Sequence, residues 1–412
     1  MRDVFVVGVG QTTFGKHTER SHASLAHEAI DLALRDAGLD AAHPAHPAHP
    51  GDVGDVGVVD HVVFGSCAAG AFGQHSARGV HVLGGTFGGK FGGTAVTDVE
   101  AACATGFTAF DTAAVRVRAG DDVVVAVGVD KTYLPDPLLL GPLFAGALNQ
   151  LDAAATTKIY DDAAASIGVS FAPSPARLLT LDVCALLAQR ALQQQTTTLA
   201  ALHDVAARAH AMAALNPKSA RGGKTAPVTA DAVAADKVAL APFTRAMCTG
   251  LADGAACVVV CSGDWLKRQS DDVQRRAIRV RATSRRTGGR ASFDTDSVTT
   301  VAARSVDVAP LLSEVDVAEV HDATSYATVA ALQALSLASL PSSSVNTSGG
   351  LIGKGHPLAA TGLGMIHEVA LQLRGEAGPR QVAHAKRGLV HNAGGFAGLD
   401  EAVVGVAVFD RA

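Results

Sequence analysis

Aromatic side chains make up only 4% of this 412-residue chain, with one Trp and three Tyr, and no stretch of basic residues interleaves with them. Nucleic-acid recognition by stacking and phosphate pairing draws on both features, and the formal charge of -5 adds no electrostatic footprint, so that partner class is set aside. Cysteine is scarce as well. Six in this length, at no paired spacing, exclude a disulfide framework and fit reduced thiols in a cytosolic setting. No window carries about 18 uninterrupted apolar residues, so a membrane span is not expected. The opening MRDVFVVGVG has one Arg and a brief apolar run that goes straight into a Gly turn, without a cleavage site, and the closing FDRA carries no peroxisomal address. The expected location is the cytoplasm.

What the chain has in plenty is apolar, weakly charged sequence: 48% hydrophobic residues against 18% charged, enough to bury a large core in two or more compact units. Short Val-rich runs alternate with Ala/Leu stretches of helical spacing. VFVVGVG leads to a helix from about Ser21 to Asp36 closed by Gly38, followed by VDHVVFG, VEAACATGFTAF and VVVAVGVD. Continuous apolar strands separated by helices predict an α/β fold with a parallel sheet covered on both faces. The pattern recurs late in VDVAEVHD, a helix through Ala330 to Leu337, GHPLAATG, RGLVHNAGG and AVVGVAVF. Two such halves point to a duplicated unit. Between them PDPLLLGP, an Ala/Gln tract and NPKSARGGKTAP break the alternation, which predicts a mostly helical insertion over residues 131–245, since a structureless loop of that length is improbable. The division is then residues 1–130 completed by about 246–272, the insertion, and a second half over 273–412.

Several local motifs look functional and fail on inspection. AHPAHPAHP repeats His43, His46 and His49 every three residues, but Pro at each step favours an extended surface loop over a metal site. TFGGKFGG has the composition of a tightly turning or flexible loop. GGKT at 222–225 lacks the leading Gly of a phosphate loop, which is Lys218 here, and VGVGQTTFG has Thr13 where a dinucleotide fingerprint needs its third Gly.

Cys103, in EAACATG, falls where a strand runs into a helix whose stripe is Phe107, Phe110, Ala114 and Val117. A thiol at a helix N-terminus meets unpaired N–H groups and the positive end of the dipole, which lower its pKa. A lone Cys is more often a small buried hydrophobe, and the other five, Cys67, Cys184, Cys248, Cys257 and Cys261, have apolar contexts that assign them to the core. Cys103 has company in the second half. His356 lies in the Gly-rich turn of GGLIGKGHPLAATG, His321 and Asp322 end one strand, and His391 and Asn392 end another beside Gly394 and Gly395. Strand ends of open α/β sheets are where ligand sites form. A thiol with three imidazoles and Gly-rich backbone there supplies a nucleophile, a base and oxyanion donors for acyl transfer. Asp322 either orients His321 or caps a strand.

These motifs, with ADGAA at 252–256 and ALNP at 214–217, resemble the thiolase superfamily over essentially the full chain. The HDA and HNAGG forms resemble its sterol-carrier-protein-type and archaeal-type branch. The resemblance implies a duplicated αβαβα five-layer thiolase fold with an inserted loop subdomain, usually dimeric. It implies that Cys103 takes the acyl group as a thioester, that His356 accepts its proton, that His321 stands near an oxyanion-hole water, and that the backbone N–H groups of Cys103 and Gly394 form a second oxyanion site. It implies coenzyme A as co-substrate with no permanently bound cofactor and no metal, and a small OB-fold, zinc-ribbon CoA-binding partner. One departure is clear: Ala323 and Asn392 occupy the positions where relatives carry a second, acid/base cysteine. His391 or His321 is left for that task. The leading expectation is an acyltransferase that cleaves a 3-oxoacyl-CoA with CoA or runs the reverse Claisen condensation. The alternatives are a non-catalytic acyl-CoA-binding scaffold and a ketosynthase-like condensing enzyme.

Overall fold

The computed structural model describes residues 2–39, 59–84, 93–174, 176–222, 228–307 and 310–412. The His43, His46 and His49 repeat lies outside the described residues, as do residues 86–92 of TFGGKFGG and residues 223–225 of GGKT. The strands are β1 Val4–Gln11, β2 His61–Gly65, β3 Ala95–Val99, β4 Val123–Asp130, β5 Val238–Leu240, β6 Phe243–Thr244, β7 Gly254–Ser262, β8 Ile278–Thr287, β9 Val317–Val320, β10 Arg387–Ala397 and β11 Asp400–Arg411. The first helices are α1 His22–Asp36, α2 Arg78–Leu83 and α3 Thr105–Ala119. They are followed by α4 Leu140–Ala145, α5 Ala153–Ser166, α6 Leu179–Gln193, α7 Leu199–Leu215 and α8 Ala230–Ala234. The rest are α9 Gly263–Leu266, α10 Asp271–Arg276, α11 Val298–Val306, α12 Ser325–Ala334, α13 Gly350–Lys354 and α14 Thr361–Arg374.

Nine strands form one sheet in the order β3-β2-β4-β7-β1-β8-β11-β10-β9. The order is mirrored about the short β1–β8 seam, where Phe5 faces Arg279 and Val6 faces Ile278. Leaving the seam on one side come β7, β4, β2 and β3; on the other come β11, β10 and β9, with Val345 bridging Ala318 beyond them. Strand directions repeat too: β2 is parallel to β4 as β9 is to β10, and β7 is antiparallel to both neighbours as is β11. The duplication is therefore present, but each half is mixed, not parallel as the apolar runs predicted. All nine residues of β7 are buried, and a central strand covered on both faces has the same composition whichever way it runs.

Five layers follow from where the strands send alternate side chains. From β7, Ala256, Val258 and Val260 point to a core shared with Phe107 and Phe110 of α3, Leu363 and Ile366 of α14, and Val390 and Phe409 of the other half. Cys257, Val259 and Cys261 point the opposite way, to Leu25, Ile30 and Leu34 of α1. A third cluster joins α11 and α12 to the outer face of β9, β10 and β11. Helices α3 and α14 thus form the middle layer between the two sheet halves. Each fully buried Phe or Leu there contributes about 1.5–3 kcal/mol relative to an exposed one.

Helix ends obey local rules. Ser21 accepts from the Ser24 N–H and starts α1, which matches the expected span. Helix α12 begins five residues before the expected Ala330 because the Thr324 side chain caps it, accepting from Ala327 N–H. Residues 131–245 carry α4 to α8 and the β5–β6 hairpin, with apolar clusters centred on Ala188, Leu202 and Phe243 and on Tyr160 and Leu186. Helix α7 reaches the second half: a Cβ at Gly353 would lie 2.3 Å from the Ala209 carbonyl oxygen.

The halves meet backbone to backbone at Gly128 of β4, where an added Cβ would lie 2.1 Å from the Ala359 carbonyl oxygen, and at Gly106 of α3, where it would lie 2.3 Å from the same atom. Gly128→Ala is expected to cost about 1–3 kcal/mol of stability by overpacking, measured as a lower midpoint in urea unfolding. An unchanged midpoint would show that this approach does not constrain the fold.

Candidate active site

Cys103 lies in a single 3-10 turn, Ala102–Ala104, that runs directly into α3. The preceding Ala102 has φ 46°, a left-handed conformation that strains a residue with a Cβ by roughly 1–2 kcal/mol. A bend there lets the strand end and the helix start within two residues, leaving the thiol at the helix N-terminus as expected. Its acidity runs opposite to the expectation. Burial, then the carboxylates of Asp130 and Glu100, push the thiol up to about 12, against the smaller effect of the Gly395 and Cys103 N–H groups that favour its anion. Loss of water outweighs a few aligned N–H groups when two carboxylates share the site.

The second half brings two imidazoles to the thiol. Ligand atoms of Cys103, His321 and His356 all lie within 4.8 Å of one another, and the two rings stand edge to face with centroids 5.2 Å apart. His356 follows Gly355 at the end of α13; its Nδ1 is 2.7 Å from Thr361 Oγ1 at the start of α14, and its Nε2 is buried without a partner. Burial pushes His356 down to about 3. His321, at the end of β9, accepts at Nδ1 a hydrogen bond from Asn392 Nδ2 at 3.0 Å, which assigns its proton to Nε2. Burial, with His356 and His391 beside it, pushes His321 well down. These are also residue types that bind zinc, so the trio is the group of described residues that could offer three metal ligands together.

His391 is placed differently. Its Nδ1 accepts from the His321 N–H at 3.4 Å and its Nε2 is 3.2 Å from Thr299 Oγ1; burial lowers it to about 4, and it does not line the cavity that His321 and His356 face. Asn392 likewise stands behind His321. Asp322 neither orients His321 nor caps a strand: its Oδ1 accepts from Leu351 N–H at 2.7 Å and so caps α13 in the Gly-rich loop. Gly350, at φ +56°, is needed there, since a Cβ would lie 2.0 Å from Asp322 Oδ2. Burial pushes this carboxyl up to about 8. Gly394 lines the cavity, but the N–H that faces the Cys103 sulfur is that of Gly395.

The cavity, about 270 Å³, is mostly apolar and includes Leu181, Leu187, Phe293, Ala330 and Phe396 besides Cys103, His321 and His356. Two thiols assigned to the core from sequence are in its wall: Cys184 and Cys248, both pushed up to about 12 by burial. Cys67 is also no simple core residue, for its Sγ donates to Asp130 at 2.9 Å. Cys257 and Cys261 fill the apolar core against α1 as expected, and Cys184, besides lining the cavity, belongs to the apolar cluster of the insertion. Apolar neighbours in sequence hid these positions, because a cavity wall has the composition of a core. A second cavity, about 1010 Å³, shares the wall of residues 248–251 and carries Lys16, Arg221, Arg245 and Lys354 against Asp236.

Three supporting groups were not evident from the sequence. Asp130, at the end of β4, accepts from Ser66, Cys67, Ala68 and Ala359. Thr361 orients His356, and Asp253 of ADGAA accepts from His17, Thr132 and Tyr133 N–H, fixing the strand end beside the Leu251–His356 bridge. Of the three, Asp253 lay within ADGAA and Thr361 within GHPLAATG, but neither motif showed what its side chain would hold.

Residues 339–405 match the family described as Thiolase C-terminal domain-like. The chain is 31% identical to an acetyl-CoA acetyltransferase of Methanothermobacter thermautotrophicus, covering 100% of both chains. It is 30% identical to sterol carrier protein 2 of Gallus gallus over 95% of this chain and 70% of that one. Among solved structures it superimposes on the Ltp2-ChsH2(DUF35) aldolase with a TM-score of 0.70 at 18% identity, covering 99% of this chain and 98% of that chain. A monomeric SCP2-thiolase like protein type 1 from Mycobacterium smegmatis gives a TM-score of 0.66 at 18% identity, covering 99% of this chain and 77% of that one. The shared fold comes from these structures and the kinship from the full-length sequence relatives, and on that basis the chain belongs to the thiolase superfamily, in its sterol-carrier-protein-type branch.

Proposed function

We propose that the protein is an acyltransferase that cleaves a 3-oxoacyl-CoA with CoA through a thioester on Cys103, or runs the reverse condensation. The observation that carries this is the convergence of Cys103, His321 and His356 within 4.8 Å at a largely apolar cavity. Cys103 Sγ attacks the 3-oxo carbon while its proton passes to His356 Nε2, whose ring is oriented through Nδ1 by Thr361. The Cα–Cβ bond breaks, its electron pair leaves on the departing acyl-CoA α-carbon, and that carbon takes back from His356 Nε2 the proton that Cys103 gave up. CoA then attacks the thioester and restores the thiol. Developing negative charge on oxygen meets the His321 Nε2–H, held in that tautomer by Asn392, and the N–H groups of Cys103 and Gly395.

Of the two histidines left for the absent second cysteine, His321 is the one placed to meet substrate, as a donor through its Nε2–H. It faces the cavity, whereas both nitrogens of His391 are engaged by Thr299 and the His321 N–H. His391 and Asn392 are positioning residues in this scheme, and Asp322 holds the loop that carries His356. Four cations against one acid in the second cavity fit the phosphates of CoA as co-substrate. The outer edge of β3 has no neighbouring strand among the described residues, the kind of edge that a second copy pairs with in a homodimer. The DUF35 protein named with one structural relative supports a small OB-fold, zinc-ribbon partner for this chain.

Brief exposure to short, long and aromatic 3-oxoacyl-CoAs is expected to add one acyl mass to the native protein and none to Cys103→Ala, by intact-protein mass spectrometry. No adduct with any donor would favour the acyl-CoA-binding scaffold. A second expectation concerns pH. Because burial lifts the Cys103 thiol to about 12, the thiolate fraction still climbs with pH far above neutrality, so iodoacetamide labelling of Cys103 should rise from pH 7 to pH 9 without levelling. A plateau by pH 8 would show a thiolate stabilised in the resting protein.

A further inference from the structure

We infer that the acyl group accepted here ends in a carboxylate, held by Arg190 with the Tyr326 hydroxyl at the part of the cavity remote from Cys103. The inference rests on the acyl-CoA reading above for the identity of the ligand's other end.

Helix α6 sends Leu181, Cys184, Leu187 and Arg190 into the cavity wall, an i, i+3 stripe on one helical face. Cys184 is near enough to Cys103 for the two sulfurs to influence each other. Arg190 lies six residues on, about 9 Å farther along the axis at 1.5 Å per residue. Helix α12 starts beside His321 and runs the same way, since Gln333 Nε2 near its end donates to Thr196 O beyond the end of α6 at 2.9 Å. The two helices therefore carry the cavity away from the thiol, and Arg190 marks its far part.

The guanidinium of Arg190 is 3.8 Å from the Phe293 ring centroid, which fixes its plane. It makes no hydrogen bond or ion pair among the described residues, and neither does the Tyr326 hydroxyl. The other wall cation is already matched: Arg290 is 3.5 Å from Asp400 and donates to Thr295 O and Leu399 O. Glu401, the acid on the wall, is raised by burial toward its neutral form. Arg190 is thus an oriented cation in the cavity wall with no ion pair among the described residues, and Asp294 acts on it only from outside that wall.

A purely alkyl acyl chain filling this cavity would strip water from that guanidinium and return nothing, a cost that falls on binding. A carboxylate matches its planar fork in two parallel N–H···O bonds.

The test uses Cys103→Ala, or Cys103→Ser if the first variant fails to fold, so that binding is read without acyl transfer. Calorimetry compares hexanoyl-, octanoyl- and decanoyl-CoA with their ω-carboxylated counterparts. At the length that fits, the carboxylated ligand is expected to bind at least about tenfold tighter. Arg190→Gln in the same background should bring that ratio close to one, and Arg190→Lys should keep part of it. Equal or weaker binding of the carboxylated ligand at every length, or a ratio that survives Arg190→Gln, would overturn the inference. The intact-mass measurement on native protein separates the two readings. A carboxylate preference without any acyl adduct sinks acyl transfer alone, and an adduct without the preference sinks this inference alone.

Discussion

The buried carboxylate of Asp130 holds the two halves of this molecule in working register. It has no solvent exposure, and its oxygens accept from the Ser66 hydroxyl at 2.7 Å, the Cys67 N–H at 3.1 Å, the Ala68 N–H at 2.8 Å and the Ala359 N–H at 2.9 Å. The first three belong to the loop after β2, and Ala359 belongs to the turn after His356. One charge at the end of β4 therefore ties the first half to the histidine loop of the second. Such a group is strongly stabilised once fully bonded and destabilises the fold if a partner is removed. The approach of Gly128 and Gly106 to the Ala359 carbonyl is the steric side of the same junction.

That junction has a chemical consequence. Asp130 is among the groups that raise the Cys103 thiol, while the cavity that excludes water also lowers His356 and His321. The resting site is accordingly a neutral thiol beside neutral imidazoles. The strained backbone at Ala102 and at Leu358, with φ of 46° and 25°, flanks the thiol and the imidazole. Their positions are set by the surrounding packing, not by local preference.

Much of the architecture was legible because it rests on local signals. Ser21 is a cap and Gly120 stops α3 at φ 141°, and the Val-rich runs became strands, whereas the Thr324 cap that starts α12 went unread. The motifs around Cys103, His321 and His356 were legible for the same reason: residue type and turn chemistry are written in adjacent residues. The direction of β7 and β11 was not, because a strand buried on both faces has no polarity signal in its composition. That Cys184 and Cys248 also face a cavity was not legible, because a cavity wall and a core are both apolar.

The sequence by itself determined the alternation of strands and helices, the duplication, and the kinds of groups available for acyl chemistry, since each depends on neighbours within a few residues. Only the tertiary structure decided that His321 faces the thiol while His391 stands behind it and that Gly395 offers the N–H. It also decided that burial and Asp130 overcome the helix N-terminus at Cys103, and that Arg190 has no ion pair among the described residues. Each of these depends on contacts between segments far apart in the chain, and on which of them water can reach.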